Sequence, residues 1–349
     1  MERVFDVDRL VGVDAVRGLA VLGMFAAHVG FAEDQFWTPT GWLAVADGRS
    51  SATFAVLAGV SLGLLSRRSR SAGEDAEREL RRRVVARAVV VALIGYVLVA
   101  LGTPIAIILP AYALMFVLMV AFLRARTSVL VLAAGGFALV GPLVVRAAGG
   151  KALGAPTDLE GLLLTGFYPA VVWLAYVLVG LAVGRRPLRA RRTRLLLVLL
   201  GPALALAGYG LAAIVAPRVP ELAAWLSTEP HANTTPEVVG NLGVALTVLG
   251  IVLAAAESRL GRVLLTPLAA TGALALTVYT AQIVAIAFAG RAVIYDQTTN
   301  GTLLAYTLVT LVVSTLWVST VGRGPLERLM RAVADTVAVR HPADEAARP

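Results

Sequence analysis

Cysteine is absent from the 349-residue chain, which excludes disulfide frameworks, thiolate metal sites and cysteine nucleophiles. Charge is also scarce: 15% of residues are Asp, Glu, Lys or Arg, 58% are hydrophobic, and mean hydropathy is +0.80. Soluble domains average about 25% charged residues, so this composition excludes a water-soluble globular fold and indicates a polytopic membrane protein. Lysine is almost missing, with Lys151 the only one, and the surrounding bias toward Arg, Ala, Leu and Val is that of a GC-rich bacterial genome. Histidine is limited to His28, His231 and His341. There is no Walker loop, GxGxxG, zincin motif or GxSxG, so kinase, metalloprotease and serine hydrolase readings have no support, and no metal site is expected.

What the chain does have is apolar runs of membrane-spanning length, about 20 helical residues for a hydrocarbon core of roughly 30 Å. Ten are read at 14–31, 50–66, 84–102, 104–123, 127–146, 167–184, 194–215, 238–255, 264–289 and 302–321. The expected fold is an all-α, polytopic transmembrane helix bundle of about ten helices, forming a single integral membrane domain over residues 1–349. Only Gly102, Thr103 and Pro104 divide the third run from the fourth, which allows either a tight turn or a broken helix.

The net charge of +9 does not point to nucleic acid, because the arginines sit in short clusters between apolar runs. Of the 31 basic residues, only Arg49, Arg146, Lys151, Arg218 and Arg291 fall on one side of the map. Basic residues are retained in the cytoplasm, so both termini are expected there, in a bacterial cell membrane. The segment 67–83, RRSRSAGEDAERELRRR, reads as a solvated cytoplasmic loop with at most a short helix. Leu326, Leu329, Met330, Val333 and Val337 stand at helical spacing, so the tail predicts an amphipathic helix along the inner interface before the end frays. The short apolar core Leu19–Val29 behind Arg3, Arg9 and Arg17 also suits a cleaved signal peptide, but such a core needs no His near its end.

Polar side chains at membrane depth are costly, about 2.5–3.5 kcal/mol for a charge at a helix centre, and therefore informative. Asp14 and Arg17 stand at i and i+3 and can pair, either as an interfacial ion pair or at the mouth of a site. His28 follows Asp14 by fourteen residues. That interval returns it to within about 40° of the same face, roughly 21 Å further along the axis. One stripe thus joins a charged inner mouth to an imidazole near the outer surface, whether as a proton acceptor or as an interhelical hydrogen-bond group. Asn241, Tyr279 and Gln282 are the other strongly polar residues within the spans, and they fit a substrate path or interhelical glue equally. Gly59 and Gly63 form a GxxxG that implies close helix packing. Trp37, Trp42 and Tyr168 suit an aromatic belt, and the two tryptophans also suit stacking on a sugar ring. Sequons stand at Asn233 and Asn300 in outer loops.

The run from Asp14 to His28, with Gly18 and Ala20 between, followed by Asp47, Phe54 and Gly59, resembles the opening of the heparan-α-glucosaminide N-acetyltransferase-like proteins and their YeiB-like bacterial relatives. ILPAYALMF at 108–116 with the preceding Ile107, and TGALALTVYTAQ at 271–282, are similar to later stretches of those relatives. The resemblance implies a membrane acyltransferase that carries an acyl group, acetyl in characterised members, from cytosolic acetyl-CoA to an extracytoplasmic glycan or lipid-linked sugar. It further implies His28 as general base, Asp47 as its orienter or acceptor ligand, and Asp14 with Arg17 near the donor. Tyr279, Gln282 and Asn241 would line the path, with the lipid bilayer, acyl-CoA and a sugar or glycolipid acceptor as partners. A homodimer is compatible with this reading. The related acyltransferase-3 proteins also carry a His fourteen residues after the Asp of a D-x-x-R-G motif, as here. In one respect the chain departs from the pattern: Trp37 stands ten residues before Asp47, where the animal enzyme places its catalytic His. Either His28 has taken over as base or acetyl transfer is not catalysed. His231 is the one remaining histidine on the outer side, and His341 falls in the tail. The alternative reading from another class is a carrier or flippase that passes a small polar or lipid-linked substrate along the same stripe without covalent chemistry.

Overall fold

A computed structural model describes residues 10–149 and 156–338. The fraying end, His341 and Lys151 lie outside the described residues. Every apolar run folds as helix, and no strand occurs among the described residues, because a chain in lipid must satisfy its backbone hydrogen bonds within each segment. Among the described residues, seven helices are long and apolar enough to cross a bilayer. They are α1 (Val11–Val29), α2 (Arg49–Ala72), α3 (Glu74–Ala100), α5 (Thr127–Ala147), α7 (Arg191–Val215), α8 (Thr235–Ala255) and α11 (Gly301–Thr320).

The remaining three runs depart from simple spans. α4 (Leu109–Met119) and α6 (Ala170–Gly184) have 11 and 15 residues. At 1.5 Å per residue they reach only about 16 and 22 Å. The run read from Pro104 starts as an open loop instead, turned by Gly102 at φ +66°, and its helix begins at Leu109. The run at 264–289 is broken: α9 (Arg259–Ala273) and α10 (Ala275–Ala289) meet at 70°, and they add an eighth span if taken as one.

α6 is apolar all round and buried almost throughout, with Trp173 and Tyr176 among the largest fully buried side chains, so it forms the centre of the bundle. Its neighbour α2 reaches it through glycine. A Cβ at Gly59 would lie 2.1 Å from the Val177 carbonyl oxygen, and one at Gly180 2.0 Å from that of Val56. The GxxxG on α2 therefore meets a second one, Gly180 and Gly184, on α6.

The polar stretch 67–83 is helical nearly throughout, not a loop. α2 runs on to Ala72, α3 starts at Glu74, and Gly73 at φ +99° makes the break. Ion pairs at helical spacing, Arg83 to Glu79 at 2.6 Å and Arg78 to Glu74 at 3.5 Å, support helix in a segment whose hydropathy alone reads as loop. α12 (Pro325–Ala338) is amphipathic as expected but docks on the bundle, where Asp335 pairs with Arg83 of α3 at 3.0 Å and Glu327 bonds the start of α10. The basic clusters gather at one end: Arg67 reaches the Arg186 carbonyl, Arg185 those of Phe122 and Leu123, and Arg124 pairs with Glu77. This is the Arg-rich end, and α1 runs from it to His28 at the opposite end.

These contacts give two glycines opposite signs. Gly59→Ala forces α2 and α6 apart and should cost about 1–3 kcal/mol. Gly135→Ala on α5, with nothing within 4 Å of its added Cβ, should instead stabilise the helix by up to about 1 kcal/mol. Thermal melting of the purified protein checks both: the first variant melts lower than wild type and the second no lower.

Candidate active site

Two chambers enter the bundle from opposite ends and share three lining residues inside it. The Arg-side chamber, about 320 Å³, is lined by Arg17, Ser61, Arg87, Glu327 and Met330. The His-side chamber, about 260 Å³, is lined by His28, Asp47, Ser51, Tyr168 and His231. Met24, Ile108 and Tyr279 line both, so these three form the neck.

Asp14 and Arg17 do more than pair at an interface. Arg17 Nη1 donates to Asp14 Oδ1 at 2.5 Å and to the Gly272 carbonyl at 3.4 Å, while Nη2 donates to Ser61 Oγ at 2.9 Å. Asp14 is 5% exposed, so its carboxylate offsets the cost of placing a guanidinium between α1, α2 and α9. A Cβ at Gly272 would lie 1.8 Å from the Asp14 carbonyl oxygen, which fixes α9 against α1 at the level of the pair.

The neck depends on the break between α9 and α10. The first amides of a half-helix lack intrahelical partners, and lipid supplies none. Glu327 supplies them: Oε1 accepts from Leu276 N at 2.9 Å and Thr277 N at 3.1 Å, and Oε2 accepts from Thr277 Oγ1 at 2.5 Å. A carboxylate there also complements the helix dipole. α10 so placed brings Tyr279 to the neck, where its phenol meets the Ile108 backbone, and Gln282 to α1, where Oε1 lies 3.4 Å from His28 Nδ1. Gln282 is buried, and its Nε2 has no hydrogen-bond partner among the described residues.

Asp47 ends the turn 41–46 that follows the α1–α2 loop, facing the same chamber as His28. Trp37, in contrast, lies out of the chamber, 92% exposed and edge-on to Phe36. Tyr168 does not act as an interfacial belt residue, because it faces the chamber and packs edge-on to Trp173 at 4.9 Å.

His231, which nothing in the motif ties to the site, is carried into the His-side chamber by its loop. Its ring stacks on Trp173 at 5.9 Å and meets Tyr168 edge-on at 5.1 Å. The backbone adopts φ +60°, uncommon for a side chain with a Cβ. Glu237 stabilises that turn by accepting from His231 N at 2.8 Å and Asn233 N at 2.6 Å. The sequence signal was the capping box TTPE, in which Thr234 caps α8 and Glu237 three residues on bonds back to the preceding loop. Asn233 is buried, with Oδ1 accepting from Trp173 Nε1 at 3.0 Å, so the sequon there is a structural bond and not an exposed acceptor. Asn241 stands apart from both chambers. It donates to Tyr176 at 3.2 Å and to Glu237 at 3.4 Å, and it accepts from Tyr209 at 2.5 Å.

Residues 9–217 match the family model described as heparan-alpha-glucosaminide N-acetyltransferase, catalytic. That is more than half of the chain. The chain belongs to the heparan-alpha-glucosaminide N-acetyltransferase family. Residues 182–336 match a second family, described as protein of unknown function (DUF418). The comparison with curated proteins finds no match. The N-acetyltransferase match supplies Asp14, Arg17, His28 and Asp47, whereas His231, Tyr279, Gln282 and Glu327 fall in the second match. Among the described residues, no group of three or more His, Asp or Glu is placed to hold a metal ion.

Removing the Glu327 carboxylate isolates its capping role. Glu327→Ala should weaken the start of α10 by about 0.5–2 kcal/mol. Hydrogen exchange over 276–282 should then speed by up to about 30-fold, with Glu327→Gln between the two. Unchanged exchange in the alanine variant would show that the cap does not hold α10.

Proposed function

We propose that the protein is a membrane acetyltransferase that receives acetyl-CoA at its Arg-rich, cytoplasmic end and acetylates a hydroxyl or amine of an extracytoplasmic sugar in the His-side chamber of a bacterial cell membrane. The observation that carries this reading is that the two chambers are separated only by residues lining both, Met24, Ile108 and Tyr279, within a family named for N-acetyl transfer. The Arg-side chamber suits an acyl-CoA. Arg87 presents donors to phosphate and amide oxygens, with its Nε buried and without a partner among the described residues, and Arg17 adds positive charge. The apolar remainder, with Leu62, Val91 and Phe116, suits a pantetheine arm directed toward the neck.

His28 supplies the base. In this reading His28 Nδ1–H donates to Gln282 Oε1, which leaves the Nε2 lone pair for a proton. As the acceptor oxygen or nitrogen attacks the thioester carbonyl, Nε2 takes its proton, the new C–O or C–N bond forms and the C–S bond breaks. The proton then passes to the departing thiolate, so the enzyme is unchanged. Asp47 and His231 face the acceptor across the same chamber and position it. Tyr279 at the neck is a phenol close to the reacting carbonyl and aligns it.

The test is transfer of label from radiolabelled acetyl-CoA to an amino sugar or hydroxyl sugar by the purified protein in vesicles. His28→Ala should lower kcat by about 10²–10⁴-fold. His231→Ala should instead raise the acceptor KM with a smaller effect on kcat. Absence of labelled sugar, or a His28→Ala variant as fast as wild type, defeats the proposal; sugar uptake without acyl-CoA would favour a carrier.

A further inference from the structure

A third cavity, an apolar crevice of about 880 Å³, opens on the outside of the bundle toward its His28 end. It follows α1 from Ala26 down to Val16 and is closed on other sides by Val244 and Val248 of α8 and by Leu304 and Thr307 of α11. Ten residues of helix are about 15 Å, half of a hydrocarbon core of roughly 30 Å, so the crevice has the depth of one leaflet. Asn300 stiffens its upper edge by bonding both the amide and the carbonyl of Phe31 at 2.8 Å.

Two features distinguish this crevice from a surface wetted by bulk lipid. Ala46 and Ser50 line both the crevice and the His-side chamber, so only small side chains separate the two. They pack directly on Gly23, where a Cβ would lie 2.1 Å from Ser50 Oγ, so the partition is thin. Arg49 also lines the crevice at the chamber end, where its guanidinium lies over the Tyr209 ring at 4.9 Å, donates to the Ala44 and Asp47 carbonyls at 3.4 Å and feels the charge of the Asp47 carboxylate without an ion-pair contact to it. A cation at the head of a leaflet-deep apolar crevice matches a lipid with an anionic link below its headgroup.

We propose that the crevice binds the acceptor as a lipid: a sugar joined through phosphate to one polyprenyl chain. The chain lies along α1 between α8 and α11, Arg49 pairs with the phosphate, and the sugar crosses Ala46 and Ser50 into the chamber of His28 and His231. The fate of the sugar rests on the acyl-transfer reading above; the binding does not.

The experiment measures equilibrium binding of a radiolabelled polyprenyl-phosphate hexose to the full-length protein in phosphatidylcholine nanodiscs. Leu304→Trp, at a position 58% exposed within the crevice, should weaken binding at least about tenfold, a loss near 1.4 kcal/mol. Leu199→Trp, on the outer face of α7 and outside the crevice, should leave binding unchanged and controls for the added bulk. Arg49→Gln should weaken the phosphate-linked lipid by a similar factor but not an uncharged polyprenyl hexoside. Wild-type binding no tighter than that of phosphatidylglycerol, equal binding of a diacyl glycolipid, or an unaffected Leu304→Trp variant overturns the proposal. A wild type that binds the lipid but transfers no acetyl group would overturn the acyl-transfer reading and leave this one standing. Acetylation of a soluble hexoside with no binding of the lipid would do the reverse.

Discussion

The amides at the start of α10 impose the constraint on which the site depends. A helix broken within the bundle leaves donors that lipid cannot satisfy, and each unsatisfied group costs several kcal/mol. Here one carboxylate from the C-terminal helix, Glu327, satisfies two backbone amides and the Thr277 hydroxyl. With that cap in place α10 can leave α9 at 70°, and its direction carries Tyr279 to the neck and Gln282 to His28. An unbroken span over the same residues would keep the direction of α9, so the bend is what turns these side chains toward α1 and α4. The amphipathic tail is accordingly a structural part of the site.

The same logic governs the other polar groups. Arg17 lies between three helices because Asp14, Ser61 and a carbonyl left accessible by Gly272 receive its donors. His231 holds a left-handed backbone because Glu237 binds the turn on either side of it. Arg17 and His28 are tolerated at depth through partners far away in sequence, 255 and 254 residues away, whereas Glu237 reaches His231 from only six residues on. Glycine does the complementary work: wherever α2 meets α6 or α1 meets α9, removing a Cβ lets backbones touch and leaves free volume to the chambers.

This division explains what could be read from the chain before its structure. Hydropathy gives each apolar run, because lipid enforces helix on any long apolar segment, and the interval from Asp14 to His28 follows from helical geometry alone. The break near Leu274 has no glycine or proline at the bend itself, and the acceptor that makes it tolerable, Glu327, lies some fifty residues later, so a continuous span was the natural reading. The 67–83 segment misled for the opposite reason: hydropathy registers its charges and not their i, i+4 pairing. Asn241 and Tyr279 look alike as polar residues in apolar runs. Only the packing distinguishes them, one into a buried network with Tyr176 and Glu237 and the other into a wall shared by two chambers.

The placement of His231 bears on how such a site diversifies. Asp14, Arg17 and His28 lie on one rigid helix, which fixes the spacing of the Arg-side and His-side groups together. The opposite wall of the His-side chamber comes from connecting segments: Asp47 after the turn at 41–46, Ile105 in the α3–α4 loop, Tyr168 before α6, and His231 before α8. Loops tolerate substitution and insertion better than packed helices do. A histidine absent from the 31–49 loop can therefore be matched in space by one from the loop before α8, provided a local device such as the Glu237 clasp fixes its backbone. Under the acyl-transfer proposal the chemistry is held by α1 and α10, whereas the identity of the acceptor is set by loops drawn from both family matches. On that proposal Trp37, ten residues before Asp47, marks a change in which loop faces the acceptor, with the reacting groups left where α1 puts them.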